Sequence, residues 1–168
     1  MICTGGLDVS VEERLEALES RLRTAEDQLE IIRLLNSYGP LVDAGESQAA
    51  AHLWVEGGVY DVGGVRRIQA YDDIAAMYDS EGHRNLINTG ASHLTATPRI
   101  TLQGDDAEAV AYSFVVLKEG ARWFVWRASA NHWTLKRTPE GWRIVERFNR
   151  VLDGSKESHA TLRRVMRA

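Results

Sequence analysis

A single cysteine, Cys3, stands among 168 residues. Within one chain that excludes a disulfide framework and any zinc cluster built on cysteines. Positive charge is not in excess either: 20 basic against 24 acidic side chains leave a net charge of −4. No basic stripe is available for a phosphate backbone, which argues against a nucleic-acid partner. No apolar run approaches the roughly 20 residues that a membrane span needs. The opening stretch MICTGGLDVSVEERLEALES turns charged before a signal-peptide core could form, so a cytoplasmic location is expected. What remains is ordinary globular composition, 44% hydrophobic and 26% charged, at the length of one domain with its own core.

Ser10 with Glu13 reads as a capping box that opens a helix. Apolar residues then recur at Val11, Leu15, Leu18, Leu22, Ala25, Leu29 and Ile32, a heptad seam of about three repeats. The seam can pair with a second chain or lie on its own domain, and the spacing does not choose between them. The helical pattern runs on through Ile31, Leu34, Leu35, Tyr38 and Val42. Pro40 is expected to kink or break it, and Gly45 sits where a C-cap belongs. A second helix is expected from Glu46 to about Val55, with Trp54 near its end, and a third over about Ile74–Ser80.

Beyond His83 the character changes. Gly104-Asp105-Asp106 is a turn signal, and Ala107–Lys118, Arg122–Arg137 and Trp142–Leu152 read as long strands rich in Val, Phe, Trp, Tyr and Ile. Thr138-Pro139-Glu140-Gly141 joins the last two as a hairpin, and Ser155–Arg167 reads as a short basic tail helix. Helices first and long antiparallel strands after them predict an α+β fold: a curved antiparallel sheet forming a cone, covered by the N-terminal helices. Strands this long must twist and bend in a small domain, which gives the cone an interior. The expected organisation is an N-terminal helical extension over 1–25, the cone domain over 26–153 and a C-terminal tail helix over 154–168.

The segments LEIIRLLNSYGPLVDAGE, HLWVEGGVYDV, GASHLTATPRITLQGDDAEAVAYS and RTPEGWRIVERFNRV, in this order, resemble the SnoaL-like polyketide-cyclase branch of the nuclear-transport-factor-like α+β cone superfamily. The resemblance spans roughly residues 26 to 153. It implies a cofactor-free lyase or isomerase of the dehydratase, cyclase or dehydrohalogenase type, working through a His–Asp pair inside the cone. Matched position by position, it implies Asp43 after the first long helix, Tyr38 five residues before it, His93 on the following strand, and Arg150 eight residues beyond the hairpin tryptophan.

Those residue types suit the chemistry. Elimination or isomerisation at carbon needs a base near the operating pH, and histidine has that proton affinity unperturbed. A carboxylate on its other ring nitrogen fixes the tautomer and stabilises the imidazolium. A phenol or guanidinium holds negative charge developing on oxygen or halide. No cofactor is required, and the histidines lack the spacing of a metal site.

Each residue also has a plainer reading. A strand histidine can be structural, Asp43 can be a helix-end acid, Tyr38 a core tyrosine and Arg150 half of a cross-strand ion pair. A regular helix sets Tyr38 and Asp43 about 140° apart, so a kink at Pro40 or the helix end must re-aim one of them. Alternation puts Trp123 and Trp133 on one side with Arg127 and Asn131, and Phe124, Trp126 and His132 on the other; it does not say which side lines the cone. The large aromatics suggest a mainly apolar, ring-shaped ligand. Trp54, Tyr60, Trp123, Asn131 and Trp133 are the expected contacts for this small hydrophobic cyclic substrate.

A homo-oligomer, dimer or trimer, would cover exposed strand faces that carry Trp123 or Trp126. Two non-catalytic alternatives stand beside the enzyme: a small subunit resembling the β chain of aromatic-ring dioxygenases, and a binding or assembly module that uses the N-terminal heptads.

Overall fold

The computed structural model describes residues 10–164. The Cys3 leader and the end of the expected tail helix, 165–167, lie outside the described residues. Helix α1 (Val11–Asp43) opens on the expected capping box: Glu13 N–H donates to the Ser10 hydroxyl at 3.1 Å, and the Glu13 carboxylate accepts from Ser10 N–H at 2.8 Å. Its first half stands free. Leu15, Leu18 and Leu22 are each more than half exposed, so the heptad seam does not lie on its own domain. Burial starts at Asp27 and continues through Ile31, Leu35, Tyr38 and Val42, spaced four, four, three and four apart on one helix face.

Of the kink or break expected at Pro40, the break does not occur: the helix runs on through it. Asn36 and Pro40 both lie on the exposed face, so water can take up the carbonyl that loses its donor. Gly45, at φ +77°, ends the turn as expected.

Helix α2 (Ser47–Ala51) is shorter than its pattern suggested, and Trp54 starts strand β1 (Trp54–Val62) instead of closing a helix. The reason lies in Gly57-Gly58. A bulge there lets Trp54 Nε1 donate to the Val59 carbonyl at 3.1 Å, and a Cβ on Gly58 would come within 2.9 Å of the indole. Next come β2 (Arg66–Gln69), α3 (Tyr71–Asp79) and α4 (Glu81–Thr89). Neither β2 nor α4 was expected, although Ser80 caps α4 through its hydroxyl.

The remaining strands are β3 (Ala91–Thr95), β4 (Arg99–Gln103), β5 (Asp106–Glu119), β6 (Arg122–Thr138) and β7 (Gly141–Val151), followed by α5 (Lys156–Arg163). They form one seven-stranded sheet in the order β2-β1-β7-β6-β5-β3, with β4 also on β5. All pairings are antiparallel except β1 with β7. Strands β3 and β4 follow one another along a single edge of β5, separated at Pro98. The long β5–β6 ribbon therefore curls around the space that α1, α2 and α3 close. The α+β architecture is as expected.

Helix α1 is fastened to the β6–β7 hairpin by charge as well as by packing. Asp27 accepts two bonds from Arg137, at 2.7 and 2.6 Å, and a third from Trp142 Nε1 at 3.2 Å. The guanidinium holds the Asp27 carboxyl below the usual carboxylate range. Among the described residues no helix is long and apolar enough to cross a membrane.

Candidate active site

Three sequence facts build the site: a glycine one turn before the end of α1, an aspartate at that end, and a histidine in the short edge strand β3. Gly39 and Asp43 are four residues apart and share a helix face. Where Gly39 leaves that face bare, the backbone of β3 lies directly against the helix, and a Cβ on Gly39 would overlap the His93 carbonyl oxygen. Asp43 then closes the slot. Its Oδ2 accepts from the His93 backbone N–H at 2.7 Å, and its Oδ1 lies 2.6 Å from His93 Nδ1.

A carboxylate only accepts, so Nδ1 carries the proton and Nε2 keeps its lone pair. Among the described residues Nε2 makes no hydrogen bond. The imidazole is 11% exposed and the carboxylate 21%. Asp43 is the last residue of the 33-residue helix α1, and His93 lies against that helix end.

The Tyr38 ring stands edge-on to His93, centroids 6.3 Å apart. His93 is thus met by Asp43 through its Nδ1 and by the edge of the Tyr38 ring. Tyr78 donates to the Tyr38 hydroxyl at 3.3 Å, and Tyr60 and Arg147 also lie against that oxygen. Burial pushes the hydroxyl of Tyr78 well above the usual phenol range, with the nearby Tyr38 oxygen adding to the shift. His83, on α4, donates from Nε2 to the Val42 carbonyl at 3.1 Å and lies 5.7 Å from the His93 ring.

Arg150 is not part of this cluster. It lies one residue out of step with Asn149, on the opposite face of β7, where it clamps Asp61 at 2.8 and 3.1 Å and Glu157 at 2.7 Å over the Phe148 ring. The cross-strand ion-pair reading describes it, with α5 as an added partner. The arginine of the concave face is Arg147, three residues earlier and only 3% exposed. Its guanidinium sits 4.1 Å above the Tyr38 ring and 4.6 Å above Tyr60, and its Nε donates to Asn131 Oδ1 at 3.0 Å. Among the described residues no carboxylate pairs with it.

Burial works against that charge, but the phenol oxygens of Tyr60, Tyr38 and Tyr78 outweigh it, so Arg147 stays a cation. Burial pushes the Tyr60 hydroxyl above the usual phenol range, with the charges of Arg147 and Arg127 pulling the other way.

Four of the five expected substrate contacts gather round Tyr38 and Arg147, fully buried. Trp54 stacks at a tilt on Tyr60, centroids 5.8 Å apart, Trp133 lies 5.7 Å from the Arg147 guanidinium, and Asn131 also accepts from Asn149 Nδ2 at 2.9 Å. Trp123 does not join them. The β5–β6 register shifts by one residue at Val115/Val116, so alternation fails and Trp123 leaves the face of Trp133; it is 56% exposed at the far end of the hairpin. Among the described residues no group of three or more His, Cys, Asp or Glu is placed to hold a metal ion.

Residues 23–148 match the model of the SnoaL-like domain. An NTF2-like protein with a cystatin-like fold from Novosphingobium aromaticivorans is 40% identical, superposes with a TM-score of 0.85, and is covered over 99% of its length by 94% of this chain. ActVI-ORFA from Streptomyces coelicolor shares the fold at 15% identity and TM-score 0.66, over 76% of this chain and 98% of that one. So does a Catenulispora acidiphila protein in complex with S-DNPA, at 16% identity and TM-score 0.65, over 73% and 91%. No curated protein matches the chain. A family match over three quarters of the sequence and a 40% identical structure of the same length place the chain in one group: it belongs to the SnoaL-like family and has the NTF2-like, cystatin-like fold.

Proposed function

We propose that the protein is a cofactor-independent lyase or isomerase acting on a hydrophobic cyclic small molecule. One observation carries the reading: the 2.6 Å contact that assigns the His93 proton to Nδ1 and leaves Nε2 as a free base. In the forward direction His93 Nε2 takes a proton from a carbon next to a carbonyl. Asp43 stabilises the imidazolium. Tyr38 donates to the oxygen on which charge develops, and Tyr78 keeps it oriented. Return of the proton from His93 to a departing hydroxyl breaks the C–O bond and releases water; return to a different carbon isomerises the ring. Trp54, Tyr60 and Trp133, buried together beside Tyr38, are the apolar side chains assigned to contact the ring.

The test follows carbon-bound hydrogen exchanging with D2O in a panel of hydroxylated and halogenated cyclic ketones, read by NMR. His93→Ala and Asp43→Asn should each slow exchange and elimination by about 10²–10⁴-fold while the fold persists. Unchanged rates in either variant end the assignment.

The same reading includes a homo-oligomer in the cytoplasm, with residues 1–25 as an extension outside the cone. The exposed run Trp123, Phe124, Val125 and Trp126 supports a second reading, a non-catalytic subunit like a dioxygenase β chain. Purification alone as a stable homo-oligomer counts against it.

A further inference from the structure

Strand register places a second arginine on the concave face. Val115 pairs with His93 on one side and with Arg127 on the other. Those two residues therefore lie in one row on one side of the sheet, about 10 Å apart across two strand spacings. Among the described residues Arg127 makes no hydrogen bond and no ion pair, and its Nε is shielded from water without a partner. Its guanidinium carbon lies 5.2 Å from the Trp126 ring, and its charge also acts on Tyr60. Arg147 lies deeper on the same face, also without a carboxylate. Asp43 spends both oxygens on His93. Arg147 is a buried cation without a carboxylate, and Arg127 is half-buried with its Nε shielded and unpartnered; an anionic ligand would supply the charge that both lack.

We propose that the compound bound by the concave face carries an acidic oxygen, a carboxylate or ionised phenol on its ring system, and that Arg127 is the residue that binds it. An unused Nε–H beside an Nη–H is the edge on which a guanidinium takes a carboxylate through two parallel bonds. The deeper charge of Arg147 adds a fixed positive potential behind it. Arg127 thereby selects among ring compounds, and it orients the bound ring toward His93 in the same row. The inference rests on the concave face being the binding site, and it stands apart from the proton transfer assigned to His93.

The experiment compares 2-naphthoate with its neutral isostere 2-naphthamide on the full chain, by calorimetry and by the Arg127 Nε–H signal in NMR. Naphthoate should bind at least about tenfold more tightly, the lower end for a hydrogen bond to a charged group, and should shift the Arg127 signal. Arg127→Met should erase the preference, and Arg127→Lys should keep part of it. His93→Ala should keep all of it, so loss of catalysis and loss of anion selection are read separately. Equal affinity for acid and amide, an intact preference in Arg127→Met, or no binding of naphthoate at about 1 mM each overturns the proposal.

Discussion

Gly39 and His93 meet where α1 crosses β3, with no room for a side chain on the helix between them. This contact sets the approach that lets Asp43, one turn further on, reach both the backbone and the ring of His93. Gly39→Ala should push the strand away, costing about 1–3 kcal/mol of stability as overpacked sites do. It should also loosen the Asp43–Nδ1 bond. Urea denaturation measures the first effect and the His93 ring signals in NMR the second. A variant as stable as the parent, with unaltered ring signals, would contradict the geometry.

The clamp of Asp27 on Arg137 and Trp142 predicts a stability loss with a defined pH dependence. Asp27→Asn should cost about 1.5–3 kcal/mol at neutral pH, the usual worth of hydrogen bonds to a charged group. The folded carboxyl is held below its unfolded value of 3.8 by the Arg137 hydrogen bonds. Its contribution is therefore complete above that value and fades as the pH falls through the folded one. The gap between parent and variant should close in acid, as urea titrations at neutral and acidic pH would show. A gap that persists in strong acid would contradict this.

The exposed seam of α1 predicts association between chains. Leu18→Glu combined with Leu22→Glu should lower the sedimentation-equilibrium mass toward that of one chain and leave the cone's melting temperature nearly unchanged. An unchanged mass would move the interface elsewhere, with the Trp123–Trp126 edge next in line.

Much of the fold could be read from residues because its signals are local. The capping box, the β-branched runs and the Pro139-Glu140 hairpin each act within a few positions. What escaped depends on registers that no local pattern records. Trp123 and Trp133 look like partners by alternation until one inserted residue opposite Val115/Val116 separates them. The second shift, at Thr134/Leu135, hides which arginine of β7 faces inward; only period two counted back from Asn149 points to Arg147 over Arg150. His83 was overlooked because α4 has no buried residues and reads as loop, although Ser80 three positions earlier was the available cap signal. Tyr38 and Asp43 both reach His93, and the bare backbone of Gly39 between them is where β3 comes close to the helix, a contact that no local pattern records.

The central claim is that Asp43 holds His93 with its proton on Nδ1 and its lone pair on Nε2. Nitrogen-15 NMR of the neutral imidazole reads this directly. The parent should show a protonated Nδ1 and a bare Nε2. In Asp43→Asn the amide oxygen must serve the His93 backbone N–H, which turns the amide N–H toward Nδ1 and forces the proton to Nε2. A parent already protonated at Nε2, or a variant whose tautomer does not change, would contradict the account.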